Sequence, residues 1–329
     1  MTEIPDQSPL DSGFGSSSTA AEVLAGVDLR GRTALVTGGY AGIGLEIVRA
    51  LAGAGASVLA PARRPADAAA ALAGVTGPSG QGAVEVGAMD LADPDGVASY
   101  AADVRASGRT LDLVIDNAGI MGTPETRTAR GWELQLATNH LGHFSLVNRL
   151  WPSLADGARV VSVSSSGHYY SPMRWDDPWF ESGYEKWLAY GQSKTANVLF
   201  ALALDARGGD RGIHAYSLHP GAILTNLGKH LTADDVAALM EPDADGHVAI
   251  PEFKTPEQGA ATAAWAATSP LLEDRGGCYL VDCEVAPWAE DDEAGGNDSG
   301  GVKRYALDPD EAERLWAWSA GLTGVDAFG

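Results

Sequence analysis

The stretch Thr33-Ala34-Leu35-Val36-Thr37-Gly38-Gly39-Tyr40-Ala41-Gly42-Ile43-Gly44 opens with a short apolar run and then places four glycines within seven positions. An amphipathic segment from Leu45 to Leu51 follows at once, which predicts a strand, a glycine turn and a helix. Glycines allow the backbone to approach a pyrophosphate group, which then lies at the positive N-terminus of the helix. Glycine is common in this chain, so the position between strand and helix carries the prediction of nucleotide binding. The predicted contact residues are Gly38, Tyr40, Gly42, Ile43 and Gly44.

From Arg32 onward, short apolar runs alternate with helical stretches, as in βαβ units with a parallel sheet. We predict a Rossmann-type, doubly wound α/β fold with a seven-stranded parallel sheet, in one enlarged domain with a small substrate-binding lobe. Ligands bind beyond the carboxyl ends of the strands in such sheets, so functional residues should follow the strands. The predicted strands are Thr33 to Thr37, Ser57 to Pro61, Val84 to Ala88, Leu113 to Asp116, Arg159 to Ser164, His214 to Leu218 and Cys278 to Val281.

Segments outside this alternation set the predicted boundaries. Residues 1–28 are expected to be a flexible N-terminal tail with a short helix, because the stretch from Met1 to Ser18 is rich in Asp, Ser, Gly and Pro. This stretch also lacks the basic and apolar regions of a signal peptide. Residues 29–329 are expected to be the Rossmann domain. An aromatic insert at 167–187 either lines a substrate pocket or only packs against the sheet. Residues 227–253 are predicted to form the substrate lobe. The acidic, glycine-rich segment 290–301 is expected to be a solvated loop, since it lacks calcium-loop spacing.

Composition narrows the class of partner. The formal charge of −22 and a sequence pI near 4.5 disfavour nucleic acid and anionic membrane surfaces, which require a positive field. No apolar run reaches the roughly 18 residues of a membrane span. Only two cysteines are present, which fits a reducing compartment. We therefore expect a cytoplasmic protein that acts on a small molecule.

A second informative pattern is Tyr190 with Lys194 four residues later. On a helix, residues at this spacing lie one above the other on the same face, so an ammonium group would stand close to a phenol. A nearby cation favours the phenolate and lowers the tyrosine pKa toward neutral pH, which suits a general acid or base. The same spacing also fits a pair on a helix surface with no chemical role, and this pattern alone leaves both interpretations open.

The end of the second predicted strand bears on the choice of cofactor. It reads Ala60-Pro61-Ala62-Arg63-Arg64, without a carboxylate to hold a ribose 2′-hydroxyl. A guanidinium group suits a 2′-phosphate, so Arg63 or Arg64 favours NADP(H) over NAD(H). Two ordinary surface arginines would leave the preference open.

Five motifs, each after a predicted strand, occur in the order found in the short-chain dehydrogenase/reductase family, which the chain resembles from about Leu29 to Leu280. The phrase Asn139-His140-Leu141-Gly142-His143-Phe144, with Tyr190 to Asn197, is similar to the branch that holds retinol dehydrogenases and WW-domain oxidoreductases. The five motifs are Thr37 to Gly44, Asp90-Leu91, Asp116-Asn117-Ala118-Gly119, Ser164-Ser165 with Tyr190 to Lys194, and His219-Pro220-Gly221 with Thr225.

Two departures from the family pattern stand out. Asp116 occupies a position where the family commonly has asparagine, and Tyr40-Ala41 replaces a small polar pair in the glycine loop. Ala41 removes a position where some NADP-dependent members carry a basic residue, so the cofactor prediction rests mainly on the two arginines.

The resemblance implies a role for each motif residue. Tyr190 would be the acid/base, and Lys194 would lower the Tyr190 pKa and hold the nicotinamide ribose. Ser165, taken over the two serines that adjoin it, would bond the substrate oxygen, and Asn139 would extend a proton relay through water. The implied cofactor contacts are Asp90, Leu91, Asn117, Ala118, Gly119, Tyr190, Lys194, Pro220, Gly221 and Thr225.

The expected activity is NADP(H)-dependent reduction of a carbonyl, or oxidation of the matching alcohol, on a bulky and mainly apolar molecule. Reduction of a C=C or C=N bond with the same tyrosine and lysine is an alternative, as is a regulator that binds the nucleotide without turnover. Relatives often pair through the helix of Tyr190 and the one before it, so the resemblance is compatible with a homodimer or homotetramer, but the sequence shows no self-complementary patch and leaves the assembly open. His140 and His143 are expected to pack rather than to bind metal. Predicted substrate contacts are His168, Tyr169, Tyr184 and Trp187, although His168 also fits an ordinary loop histidine.

Overall fold

A single sheet lies at the centre of the computed structural model, which describes residues 2–76, 82–223, 225–232, 235, 253–290, 293 and 300–329. Its eight strands follow the order β3-β2-β1-β4-β5-β6-β7-β8. The first seven are parallel, and β8 runs antiparallel to β7. The strands are β1 (Thr33–Val36), β2 (Ser57–Leu59), β3 (Val84–Glu85), β4 (Leu111–Asp116), β5 (Leu154–Val163), β6 (His214–His219), β7 (Tyr279–Val281) and β8 (Glu284–Val285).

The predicted α/β fold with seven parallel strands is confirmed, and the sheet has one further strand, the antiparallel β8, which was not predicted. The chain reaches β8 through Asp282 and Cys283, whose φ angles of 55° and 60° are left-handed. Tight hairpin turns of this kind usually carry glycine or asparagine. Asp282 suits the first position of such a turn, but Cys283 stands where glycine is usual, so the sequence held only a weak signal for the antiparallel edge strand.

Helices cover both faces of the sheet. One face packs against α4, α6, α7 and α10, and the other packs against α1, α2 and α9. No described helix is long and apolar enough to cross a membrane. The helices are α1 (Ala20–Val23), α2 (Gly42–Gly53), α3 (Pro65–Ala71), α4 (Pro94–Ala106), α5 (Leu134–Leu136), α6 (Gly142–Leu150), α7 (Lys186–Gly208), α8 (Pro256–Gly259), α9 (Ala261–Thr268) and α10 (Pro309–Thr323).

The strand order fixes where a ligand can bind. β1 pairs with β2 on one side and with β4 on the other, so the sheet reverses its direction of growth at β1. The loops after β1 and β4 therefore meet at the carboxyl edge, where the backbone N–H of Ala118 donates to Thr37 Oγ1 at 2.9 Å. Doubly wound sheets bind nucleotides at this switch point.

The C-terminal helix α10 covers α6 and α7. Trp316 lies against the rings of Phe144 and Phe200, with ring centres 4.9 and 6.0 Å away, and Arg207 forms an ion pair with Glu313. Every residue of α7 from Ala189 to Leu204 is buried. The C-terminal helix therefore covers part of the surface of α6 and α7 within one chain, and the oligomeric state stays a prediction.

The N-terminal segment packs against the sheet edge, contrary to the flexible tail we expected. The backbone N–H groups of Leu10 and Ser12 donate to the carboxylate of Glu284 in β8, at 2.6 and 3.0 Å. Arg275 donates to the carbonyl oxygen of Ser8 at 2.9 Å, and the side chain of Gln7 is buried. Glu284 and Arg275 lie far along the chain, and the composition of the N-terminal segment does not reveal that it bonds to them. The expectation of a flexible tail was therefore wrong for this segment.

Asp116, the last residue of β4, is an acidic side chain inside the protein core. It is 0% exposed, and neither carboxylate oxygen has a hydrogen-bond partner among the described residues. Burial raises the pKa of this carboxyl well above its usual value. The folded state therefore prefers the protonated acid. The contribution of Asp116 to the free energy of unfolding is full at pH values below the pKa of this carboxyl in the unfolded chain. That contribution is lost as the pH rises toward the raised pKa of the folded protein.

We expect Asp116→Asn to raise the stability of the protein at neutral pH, because an amide has no charge to bury. Urea denaturation at about pH 5.5 and about pH 8.5 should show the advantage of the variant in unfolding free energy growing with pH. An equal loss of stability at both pH values would contradict this, since it would mean that the carboxylate is well paired in the folded protein.

Candidate active site

Helix α7 brings Tyr190 and Lys194 together at the carboxyl edge of the sheet. Its N-terminus is capped by Glu185, whose carboxylate accepts from the backbone N–H of Trp187 at 3.1 Å. Tyr190 is 3% exposed and Lys194 is 4% exposed. The Lys194 Nζ atom lies 5.7 Å from the centre of the Tyr190 ring. Both groups therefore share one nearly dry site.

The Lys194 ammonium is anchored to the end of β5. Its Nζ donates to the carbonyl oxygen of Val163 at 2.9 Å, and Asn197 Nδ2 donates to the same oxygen at 3.1 Å. Burial lowers the pKa of Lys194 to about 7. This amine can therefore gain and lose a proton near neutral pH.

The Tyr190 phenol behaves differently from our prediction. Burial raises the pKa of Tyr190 to about 12, although a hydrogen bond with Ser165 opposes that rise; the nearby Tyr170 adds to it. The predicted lowering of this pKa by Lys194 is outweighed in this structure, because desolvation of the phenolate is the dominant effect. Tyr190 keeps its proton at neutral pH and is suited to donate it.

The structure distinguishes Ser164 from Ser165, two of the three adjacent serines. The hydroxyl of Ser164 is buried and donates to the backbone carbonyl of Lys194 at 2.8 Å, so it is used within the fold. The side chain of Ser165 lies close enough to Tyr190 to lower the pKa of that phenol, and its hydroxyl accepts from Gly167 N at 3.0 Å. A Cβ atom on Gly167 would lie 2.5 Å from Tyr190 Cε1, so only glycine lets this turn approach the ring.

Asn139 lies in a π-helical turn, Ala137–Leu141, between α5 and α6. Its amide Nδ2 donates to Ser193 Oγ at 2.9 Å and to Ile120 O at 3.0 Å, and its Oδ1 accepts from Ile120 N at 2.9 Å. Asn139 Oδ1 and Lys194 Nζ flank Gly119, since a Cβ placed there would lie 3.4 and 3.6 Å from them. The four predicted catalytic residues thus gather at one edge, and Ser193, which our sequence reasoning missed, joins Asn139 to α7.

The glycine loop has the geometry that a bound pyrophosphate requires. Gly38 and Gly42 have left-handed φ angles of 65° and 52°. A Cβ on Gly44 would lie 2.3 Å from the carbonyl oxygen of Gly38, and one on Gly42 would lie 3.2 Å from Thr225 Cγ2. Tyr40 and Ile43 pack partly against the core beside α2. The loop therefore fits a dinucleotide and places Thr225 directly against it.

Further predicted cofactor residues line the neighbouring strand ends. Asn117 Nδ2 donates to the Thr37 carbonyl oxygen at 2.9 Å, and Asp90 Oδ1 accepts from Ala92 N at 3.0 Å. The backbone of Leu91 packs so closely on α6 that a Cβ on Gly142 would lie 2.4 Å from its carbonyl oxygen. After β6, Pro220 is buried and Gly221 has a left-handed φ of 95°.

Arg63 and Arg64 follow β2 and are both exposed. The preceding residue, Ala62, bridges to Ala88 near the end of β3, which brings the arginines to the same edge as Asp90. Arg64 Nε lies 3.0 Å from the carboxylate of Asp67. No ion pair of Arg63 is found among the described residues, so its guanidinium is available to a ligand.

Two of the predicted substrate residues are engaged inside the fold. His168 is completely buried, its Nδ1 lies 2.8 Å from the Ser165 carbonyl oxygen, and its Nε2 accepts from Lys303 N at 3.2 Å. No ring nitrogen is left for a substrate, so that expectation for His168 does not fit. Tyr184 donates through its hydroxyl to Thr123 O at 3.0 Å, which ties the insert to the loop after β4.

An aromatic group stands beside the catalytic tyrosine. Trp187 packs edge-on to Tyr190, with ring centres 6.5 Å apart, and Tyr170 packs edge-on to Trp187 at 6.2 Å. Tyr170 was not among our predicted substrate residues, yet it is 41% exposed beside the site. Tyr169 points elsewhere, with its hydroxyl 3.4 Å from Glu293 Oε1 and Lys303 over its ring.

Two predicted segments fall largely outside the described residues. Of the predicted substrate lobe 227–253, the structure describes only 227–232, 235 and 253, and of the predicted acidic loop 290–301 only 290, 293, 300 and 301. Within the described part of the chain, no group of three or more His, Cys, Asp or Glu side chains is placed to hold a metal ion.

Comparisons with known proteins agree with this geometry. The family model described as short chain dehydrogenase matches residues 32–236. A protein of Streptomyces antibioticus named as a probable oxidoreductase is 44% identical over 92% of this chain and 99% of its own length. Retinol dehydrogenase 11 of Mus musculus is 34% identical over 91% of this chain and 88% of its own.

Two crystal structures resemble the whole fold. An uncharacterized protein from Mycobacterium paratuberculosis has a TM-score of 0.72 and 33% identity, and covers 95% of this chain and 99% of its own. A short chain dehydrogenase from Burkholderia cenocepacia, in complex with NADP, has a TM-score of 0.62 and 26% identity, and covers 82% and 99%. The chain is therefore an oxidoreductase of the short-chain dehydrogenase/reductase family, on its retinol dehydrogenase-like branch.

Proposed function

We propose that this enzyme uses NADP(H) to reduce a carbonyl group of a bulky apolar small molecule, or to oxidise the matching alcohol. Ser165, Tyr190, Lys194 and Asn139 form the proposed catalytic site. The observation that carries the proposal is that Ser165 and Lys194 both lie beside the buried Tyr190 phenol, whose raised pKa keeps its proton in place. The hydroxyls of Ser165 and Tyr190 are two donors that suit the oxygen of a carbonyl.

The chemistry follows from these groups. A bound nicotinamide nucleotide supplies the hydride. Ser165 and Tyr190 donate hydrogen bonds to the substrate oxygen, and in a dry site such donors stabilise developing negative charge strongly. Tyr190 then delivers its proton to that oxygen as general acid. The buried Lys194, with its pKa lowered to about 7, returns a proton toward Tyr190, and Asn139 holds the neighbouring loop beside Gly119.

The protonation state of Tyr190 favours reduction over oxidation at neutral pH. Reduction needs the phenol as a proton donor, and a pKa raised to about 12 keeps the phenol protonated. Oxidation of the alcohol needs the phenolate, whose fraction falls about tenfold for each unit that the pH lies below that pKa. The protonated phenol therefore suits the proton-donating step of carbonyl reduction at neutral pH.

The proposed cofactor preference rests on Arg63 beyond the end of β2. A 2′-phosphate carries negative charge, and an exposed guanidinium near the adenine ribose pairs with it through charge-assisted hydrogen bonds. The structural relative from Burkholderia cenocepacia was crystallised with NADP, which supports the same preference. The other proposed contacts follow the glycine loop and the ends of β3, β4 and β6.

The proposed substrate is bulky and apolar because aromatic rings stand beside the reacting groups. Trp187 and Tyr170 offer flat apolar surface next to Tyr190. Pockets with such walls favour aromatic and extended apolar ligands. Aromatic ketones and aldehydes are therefore the first compounds to screen with NADPH.

Tyr190→Phe should lower turnover with an aromatic ketone and NADPH by at least about a hundredfold, since it removes the general acid. Binding of NADPH, followed by energy transfer from tryptophan to the nicotinamide, should stay unchanged. The matched control is Tyr216→Phe, because that buried tyrosine bonds Leu272 O within the opposite core. Near-normal turnover in Tyr190→Phe would remove Tyr190 from the mechanism.

Arg63→Ala should weaken NADPH binding by about ten- to hundredfold, the cost of one lost charge-assisted contact, and leave NADH binding unchanged. Arg64→Ala should have a smaller effect because Asp67 already pairs with Arg64. Arg105→Ala is the control, since it lies in the last turn of α4 at the opposite edge of the sheet. An equal loss of NADPH and NADH binding in Arg63→Ala would overturn the cofactor preference.

A further inference from the structure

His143 bridges the cofactor loop and the catalytic segment. It lies on α6, four residues after Asn139, and its ring is buried. Its Nδ1 is 2.9 Å from the backbone carbonyl oxygen of Asn139, and its Nε2 is 2.9 Å from Thr37 Oγ1. We had expected His143 only to pack, but both of its ring nitrogens have partners at the proposed site.

The partners fix the proton positions in this bridge. A carbonyl oxygen only accepts hydrogen bonds, so Nδ1 of His143 carries the proton and donates to Asn139 O. Nε2 is then an acceptor, and the Thr37 hydroxyl donates to it. The Thr37 oxygen still accepts from Ala118 N at 2.9 Å. Burial and the nearby Lys194 cation lower the pKa of His143 to about 4, which keeps this neutral form at physiological pH.

Thr37 and Asn139, the two hydrogen-bond partners of His143, each contact further segments of the proposed site. Thr37 begins the glycine loop, and it bonds Ala118 through its hydroxyl and Asn117 through its carbonyl. Asn139 bonds Ile120 and Ser193 through its amide. The π-helical turn around Asn139 departs from the regular helix, and such turns are frequent at functional sites. The ring of His143 thus connects the elements that hold the nucleotide to those that hold α7.

We propose that His143 is a positioning residue that couples the nucleotide loop to Asn139 and, through Ser193, to the helix of Tyr190 and Lys194. The proposal rests on the proposed function of Asn139 in this site. Loss of the bridge would leave Asn139 O and the Thr37 hydroxyl without their buried partner. Small displacements of reacting groups can cost up to about a hundredfold in rate. His143 therefore acts on turnover without touching the substrate.

The test compares His143→Phe with His140→Phe, measuring kcat at saturating NADPH with a carbonyl substrate and the dissociation constant of NADPH by fluorescence. Both changes replace a buried imidazole on the same helical stretch, but His140 Nε2 pairs with Ser319 Oγ on α10, away from the loop. We expect His143→Phe to lower kcat by at least about tenfold and to weaken NADPH binding. His140→Phe should leave both unchanged. Equal kcat values in the two variants would overturn the proposal.

Two further comparisons separate positioning from a general loss of packing. His143→Gln keeps a donor and an acceptor and should recover part of the lost kcat, whereas no recovery in a folded variant would contradict the role of the hydrogen bonds. Thr37→Ser keeps the hydroxyl and should retain more kcat than Thr37→Val, which tests the same bond even if His143→Phe does not fold.

A double variant completes the test. Thr37→Val with His143→Phe should lose less kcat than the product of the two single losses, because both variants remove the shared Thr37–His143 bond, although each also removes one bond of its own. Multiplying losses would overturn the coupling. Wild-type turnover with NADPH is measured first, and NADPH binding needs no turnover, so a failure of the proposed reductase activity is distinguished from a failure of the bridge.

Discussion

The site depends on the exclusion of water from the N-terminal half of α7. Tyr190 and Lys194 are almost fully buried, and the Lys194 ammonium is tied to the end of β5 by its bond to Val163 O. Burial disfavours the charged form of each group, so it raises the pKa of Tyr190 and lowers the pKa of Lys194. The proton therefore rests on the phenol, and the amine beside it can exchange one near neutral pH.

The rest of the fold serves to maintain this arrangement. Helix α10 lies over α6 and α7, with Trp316 against the rings of Phe144 and Phe200, so residues of the same chain help to cover α7. On the other side, the sheet reverses its order at β1 and brings the glycine loop against the segment after β4. His143 connects these two sides through one ring.

The sequence predicted the parts of this account that depend on local patterns. Apolar runs that alternate with helices indicated the parallel sheet, since strands buried on both faces must be apolar. The glycine loop was predicted because its backbone geometry demands glycine at Gly38 and Gly42. The spacing of Tyr190 and Lys194 correctly placed both side chains on one face of one helix.

The features that sequence reasoning missed depend on contacts between distant segments. The raised pKa of Tyr190 reflects how deeply the folded chain buries its phenol, which a four-residue spacing does not reveal. Glu284 holds the N-terminal segment, and Lys303 uses up a nitrogen of His168, from positions far along the chain. The two-residue strand β8 is too short for a periodic pattern, and Asp282-Cys283 lacks the glycine that usually completes a hairpin turn.

The most direct test of the central claim is a pH titration of tyrosine labelled with ¹³C at Cζ, followed by NMR, with Tyr190→Phe used to assign the resonance of Tyr190. We predict that the Tyr190 resonance stays at the phenol position from about pH 6 to about pH 10, because burial raises the pKa of Tyr190 to about 12. A midpoint near neutral pH would contradict it, since Tyr190 would then be a phenolate available as a base and not a proton donor.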